Sequence, residues 1–91
     1  MNKIKWVNEI QISLELLGGK GKLSEIYNEI ETRSKIDLSA YVDWRSQIRK
    51  NIYLHSSDCD IYMGIPGDKK DIFFSVEGKG RGIWGIRNFN K

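Results

Sequence analysis

Four groups of side chains in this sequence are chemically competent by residue type: the run His55-Ser56-Ser57-Asp58, the acidic positions Asp68 and Asp71 with Glu77-Gly78-Lys79, the single Cys59 near His55, and a cationic series with polar neighbours. The first contains the residue types of a hydrolytic triad. Adjacent at a helix end, however, they cannot form the spatial relay of nucleophile, base and orienting carboxylate that a triad needs. Local capping by Ser56, Ser57 or Asp58 is the better expectation. The second has a superficial likeness to a metal-dependent nuclease signature, but Glu77 and Lys79 fall at a turn tip rather than on a supported strand. Cys59 and His55 are too few ligands for zinc, and Asp58 and Asp60 lack the further oxygens calcium needs. No catalytic residue, metal or cofactor is therefore expected, and the chain reads as a non-enzyme.

The cationic series is different in kind. Arg45, Ser46, Gln47, Arg49 and Lys50 lie within six residues, Tyr53, Ser56 and Ser57 come after them, and Lys79 and Arg81 stand among glycines further on. These are types that hydrogen-bond phosphates and base edges. Periodicity supplies the framework that places them. Ile4, Val7, Ile10, Leu14 and Leu17 recur at steps of three and four, which predicts a first helix over about 2–17, widened by Ile12 and Leu16 and stopped by Gly18-Gly19. Lys20 to Leu23 is a connector with room for a stub of strand. Ser24 is the expected N-cap of a second helix over about 24–35, with Ile26, Tyr27 and Ile30 inward. A third helix over about 41–55 turns Tyr41, Trp44, Ile48 and Ile52 inward, so Asp43, Ser46, Lys50 and Tyr53 face outward with Arg45, Gln47 and Arg49 on the flanks.

Ser56 to Asp58 then end the helix, and Gly64, Pro66 and Gly67 mark a loop. Ile72 to Val76 alternate as a strand, Glu77 to Gly82 make a glycine-rich turn, and Ile83 to Arg87 return with Trp84 and Ile86 on one side. The resulting hairpin, about 71–87, must lie against the helices to be stable. No repeat, low-complexity tract or linker divides the chain, so residues 1–91 are expected to form a single domain.

Ninety-one residues with 40% hydrophobic content can bury one small core. Dinucleotide-binding and barrel enzymes, which need more than roughly 150 residues, are excluded. One cysteine cannot close an intrachain disulfide, and MNKIKWVNEI carries neither an apolar leader core nor a span, so cytoplasm is the default and no membrane contact is expected. The net charge of +3 is unevenly placed. Up to Trp44 there are six basic and seven acidic residues, whereas from Arg45 onward there are nine basic and five acidic. The positive field belongs to the segment that holds the cationic series.

Three helices and a hairpin with a basic tip are the element order of a winged helix-turn-helix domain, an α+β fold. The resemblance covers nearly the whole chain: LGGKGKLSEIY (17–27), WRSQIRKNIYLHSSD (44–58) and FFSVEGKGRGIWGIR (73–87) are similar to the winged helix domains attached to HNH-type and other restriction-like endonucleases of bacteria and their phages. The resemblance implies recognition of double-stranded DNA, sequence- or adenine-methylation-dependent, with residues 44–57 as the reading helix and its end and residues 77–82 as the wing. It also implies a nuclease domain or partner protein in cis or trans. A second expectation comes from the modest charge and from Asp43, Asp58 and Asp60 near the reading face: a protein-interaction module or small phage-type inhibitor, anchored by Tyr53, Tyr62 and Met63.

Overall fold

The computed structural model of the chain describes residues 6–78, 80–87 and 89. Helix α1 spans Trp6–Leu16 and buries Ile10 and Leu14 completely, as their spacing predicts. Its expected beginning at residues 2–5 lies outside the described residues. The stripe is narrower than expected, because Leu16 is exposed while Ser13 is buried beside Leu14. Gly18 and Gly19 take φ of +93° and +103°, and the Gly19 N–H donates to the Leu14 carbonyl at 2.8 Å. This left-handed exit, open to glycine without a Cβ penalty, turns the chain back along the sheet.

Residues Lys20–Lys22 form a true strand, β1, and not merely a connector. It pairs antiparallel with β3 (Ile83–Ile86), which in turn pairs antiparallel with β2 (Phe73–Ser75), giving the order β1-β3-β2. The two-stranded hairpin expected from the sequence is thus part of a three-stranded sheet. A three-residue strand has too little period to be read from its own side chains, and Lys20-Gly21-Lys22 shows no apolar alternation. Gly85 sits at the centre of the sheet, opposite Lys20 on one side and Phe74 on the other. A Cβ there would stand 2.7 Å from the Phe74 ring, so the ring can lie over the strand only because the residue is glycine.

Helix α2 (Leu23–Arg33) begins one residue before the expected start, and Ser24 is inside it rather than capping it. The Leu23 N–H donates to the Gly82 carbonyl at 2.8 Å, so sheet pairing already fixes the turn into the helix. Lys22 is the N-cap residue, and the Glu25 carboxylate reaches back to accept from its N–H at 2.8 Å. Ser34, left-handed at φ 54°, ends the helix before Lys35. An ion pair of 2.8 Å between Arg33 and Glu9 ties α2 to α1.

A single 3₁₀ turn (Leu38–Ala40), capped by Asp37, precedes helix α3 (Trp44–Leu54). The expected start near Tyr41 is corrected: Tyr41 is extended and exposed, with its ring edge-on to Trp6 at 5.2 Å. Asp43 is the cap, its carboxylate accepting from the Ser46 N–H at 3.2 Å, and a capping aspartate sets the boundary where helical spacing alone would extend it. Ile48 and Ile52 of α3 meet Ile10, Leu14, Ile26, Ile30, Phe73, Trp84 and Ile86 in one core. Among the described residues, no helix is long and apolar enough to cross a membrane.

Candidate nucleic-acid interface

The outward side of α3 is polar because its inward side is committed to Ile48 and Ile52. Arg45 and Lys50 are exposed, and Ser46, Gln47 and Arg49 are half-buried. The two arginines are not loose. The Arg45 guanidinium lies over the Trp44 ring at 4.4 Å and faces the Tyr27 ring of α2 at 5.9 Å. Arg49 donates to the Tyr27 hydroxyl at 3.0 Å, a bond that raises its pKa above an already high value. Tyr27 also meets Trp44 edge-on at 6.1 Å. A cation with its stem packed on aromatic rings loses less conformational freedom when it meets a ligand. The Tyr27 tether was not foreseen in the sequence; its signal was a tyrosine on an apolar stripe, whose hydroxyl must find a partner.

At the other end of α3 the expected contacts divide. Ser56 is fully buried, its hydroxyl accepting from the Asp58 N–H at 3.3 Å, and it presents no surface to a ligand as folded. Ser57 donates its hydroxyl to Asp71 at 2.7 Å and its N–H to the same carboxylate at 2.8 Å. Asp71 accepts further from the Gly67 N–H at 2.8 Å and from Arg87 Nε at 2.9 Å. Burial raises the pKa of this carboxyl, but the amides of Ser57 and Gly67, the Ser57 hydroxyl and Arg87 together bring it down to about 2. Arg87 also pairs with Asp58 at 3.4 Å, and the other Asp58 oxygen accepts from the Ser75 N–H at 2.8 Å. Ser57 and Asp58 therefore tie this segment to Asp71, Ser75 and Arg87, and Ser56 closes a local turn, rather than capping the helix. His55 ends α3 instead, with its N–H on the Ile52 carbonyl at 3.1 Å and its ring Nδ1 bonded to the Asn51 carbonyl at 2.9 Å.

Between β2 and β3 the turn runs through Gly78, Gly80 and Gly82, all at positive φ. Arg81 and Glu77 are exposed there, while Lys79 lies outside the described residues. The turn comes close to α3: Gly80, Trp84, Tyr53, Cys59, Asp60 and Ile61 line one cleft of about 300 Å³. Tyr53 is packed on Trp84 at 5.8 Å rather than free as an anchor, and the Tyr62 hydroxyl is bonded to Asp68. The loop from Cys59 to Lys70 exposes Met63, one of the expected anchors, together with Lys69, Lys70, Ile61 and Ile65, which the sequence reading did not single out.

Part of the acid on this side is engaged internally, while Asp43, Asp60 and Glu77 are exposed. Asp58, Asp68 and Asp71 are occupied by Arg87, Tyr62, Ser57 and backbone amides, whereas Arg45, Lys50, Lys69, Lys70 and Arg81 are exposed. Among the described residues no group of three or more His, Cys, Asp or Glu is placed to hold a metal ion. Comparison with family models, curated proteins and solved structures found no match to this chain.

Proposed function

We propose that the chain is a winged helix module that binds double-stranded DNA, with α3 in the major groove and the β2–β3 turn against the neighbouring backbone. The observation that carries this reading is the placement of exposed cations on α3, on the turn and on the loop between them, while Asp58, Asp68 and Asp71 of the same half are engaged in internal bonds. The order α1-β1-α2-α3-β2-β3, with β1 paired to β3, supports it. So does geometry: a single helix fits the major groove, and glycines let a turn approach phosphates closely. Arg45 and Lys50 are the side chains assigned to the duplex on α3, Arg81 on the turn, and Lys79 by its sequence position. Arg49 supports the helix face through Tyr27. Any catalytic step on the bound DNA belongs to a nuclease domain or partner protein acting in cis or trans, and the working compartment is the cytoplasm.

The test is selection from a randomised duplex library at low ionic strength, with adenine-methylated and unmethylated pools in parallel. Retention of duplex, with enrichment of a short site in one or both pools, is the expected result. Recovery of no duplex from either pool at low salt would refute DNA binding.

A further inference from the structure

The loop between α3 and β2 holds apolar side chains out into solvent on a tightly fixed backbone. Ile61 is 48% exposed, Met63 87% and Ile65 75%. A slack loop could fold such residues against the core, but this one is pinned at nearly every turn. Ile65-Pro66-Gly67-Asp68 forms a β-turn closed by the Asp68 N–H on the Ile65 carbonyl at 2.9 Å, with Gly67 at φ +90° as a type II turn requires. The Asp68 carboxylate accepts from the N–H groups of Ile65 at 3.0 Å and Lys70 at 3.1 Å, and from the Tyr62 hydroxyl. Asp71, the buried hub carboxylate, holds the Gly67 N–H. A Cβ at Gly64 would stand 2.6 Å from the Asp68 carboxylate and 2.7 Å from the Tyr62 hydroxyl, so a larger residue would have to displace that pair.

Two further observations favour DNA as the partner of these residues. Ile61 lines the cleft shared by Tyr53 of α3 and Gly80 of the turn, so the loop starts between the two elements assigned to DNA. The same loop ends in the exposed pair Lys69 and Lys70, which can meet phosphates; of its two acids, Asp60 is exposed at the loop's start and Asp68 is engaged by Tyr62 and the amides of Ile65 and Lys70. Exposed apolar side chains beside cations are the chemistry of a minor-groove wedge, in which an aliphatic group enters between base pairs and the duplex kinks away from it.

We propose that Met63 and Ile65 form an apolar wedge that enters the minor groove beside the site covered by α3 and bends the bound duplex. This rests on the DNA-binding reading. The experiment uses the full chain and a duplex of roughly 20 base pairs containing TA and CA steps, which unstack most easily, labelled at its ends for energy transfer. The wild-type complex should shorten the end-to-end distance as a bend of about 20–90° does. Met63→Gln with Ile65→Gln should still bind but lose most of that shortening, while Met63→Leu retains it. Both positions are exposed, and an unchanged melting temperature checks that the fold is intact. Wild-type binding with no bend, or an unchanged bend in the double variant, would overturn the wedge alone and leave the apolar pair to a protein contact. Absence of binding by the wild-type chain would overturn both the wedge and the DNA-binding reading.

Discussion

Asp71→Asn should lower the stability of the fold by about 2–3 kcal/mol, read as a fall in the urea midpoint with unchanged slope or as a loss of roughly 10–20 °C in melting temperature. The side chain is buried and accepts from Ser57, Gly67 and Arg87, joining the end of α3, the Pro66-Gly67 turn and the strand β3 extended by Arg87. Asparagine keeps the shape but removes the charge, and turns an NH₂ group toward donors that then lack an acceptor. Arg87 is about a third exposed and can rehydrate, which holds the cost below that of stranding a fully buried charge. The same contacts set an acid limit. Because the folded carboxyl has its pKa lowered from 3.8 to about 2, its contribution is fully present above pH 4 and is lost as pH falls from there through 2. Integrated over that shift it is roughly 2 kcal/mol. Acid unfolding of the wild type should therefore be steeper between pH 4 and 2 than that of Asp71→Asn, whose stability is lower but flatter there. Equal acid profiles would show that Asp71 is not held as its contacts require.

Arg45→Ala combined with Lys50→Ala should weaken duplex binding by about 2–3 kcal/mol, roughly 30- to 150-fold, with a fold that still melts cooperatively. Both side chains are exposed on α3, so little packing is lost beyond the stacking of Arg45 on Trp44, worth about 0.5–1 kcal/mol. Lys35→Ala is the control, since this exposed lysine comes after α2 and lies on neither α3 nor the turn. If the lysine control weakens binding as much as the α3 pair, the duplex is held by diffuse charge rather than by that helix. Fluorescence anisotropy with one labelled duplex at fixed salt separates these outcomes.

The helices were legible because Ile10, Leu14, Ile26, Ile30, Ile48 and Ile52 repeat at the spacing of one buried face, and the hairpin because Trp84 and Ile86 alternate. Their boundaries were less so. Tyr41 fits the helical stripe of α3 in sequence, yet a capping Asp43 outweighs periodicity there, and Ser24 resembles a cap although pairing of Leu23 with Gly82 starts the helix earlier. β1 was nearly invisible, since a strand of Lys-Gly-Lys is defined by its partner β3 and not by its own side chains. For the candidate site, Arg45, Lys50 and Arg81 were readable as exposed cations because residue type and helical phase suffice for that. Ser56 was not: a serine just past a helix end reads as a surface residue, yet it is fully buried with its hydroxyl bonded to the Asp58 N–H. Nor was the pairing of Asp58 and the buried Asp71 with Arg87, which is 29 and 16 residues away in sequence. That pairing gathers Arg87 and two carboxylates of this half into one cluster, leaving Arg45, Lys50, Lys69, Lys70 and Arg81 as exposed cations.

The salt dependence of duplex binding tests this surface most directly. With Arg45, Lys50, Lys69, Lys70 and Arg81 meeting phosphates, the logarithm of the association constant should fall against the logarithm of salt with a slope of about −4 to −5. The α3 double variant should reduce that slope by about 2. A wild-type slope near zero, or no binding to any duplex at low ionic strength, would contradict a DNA-binding role for this fold.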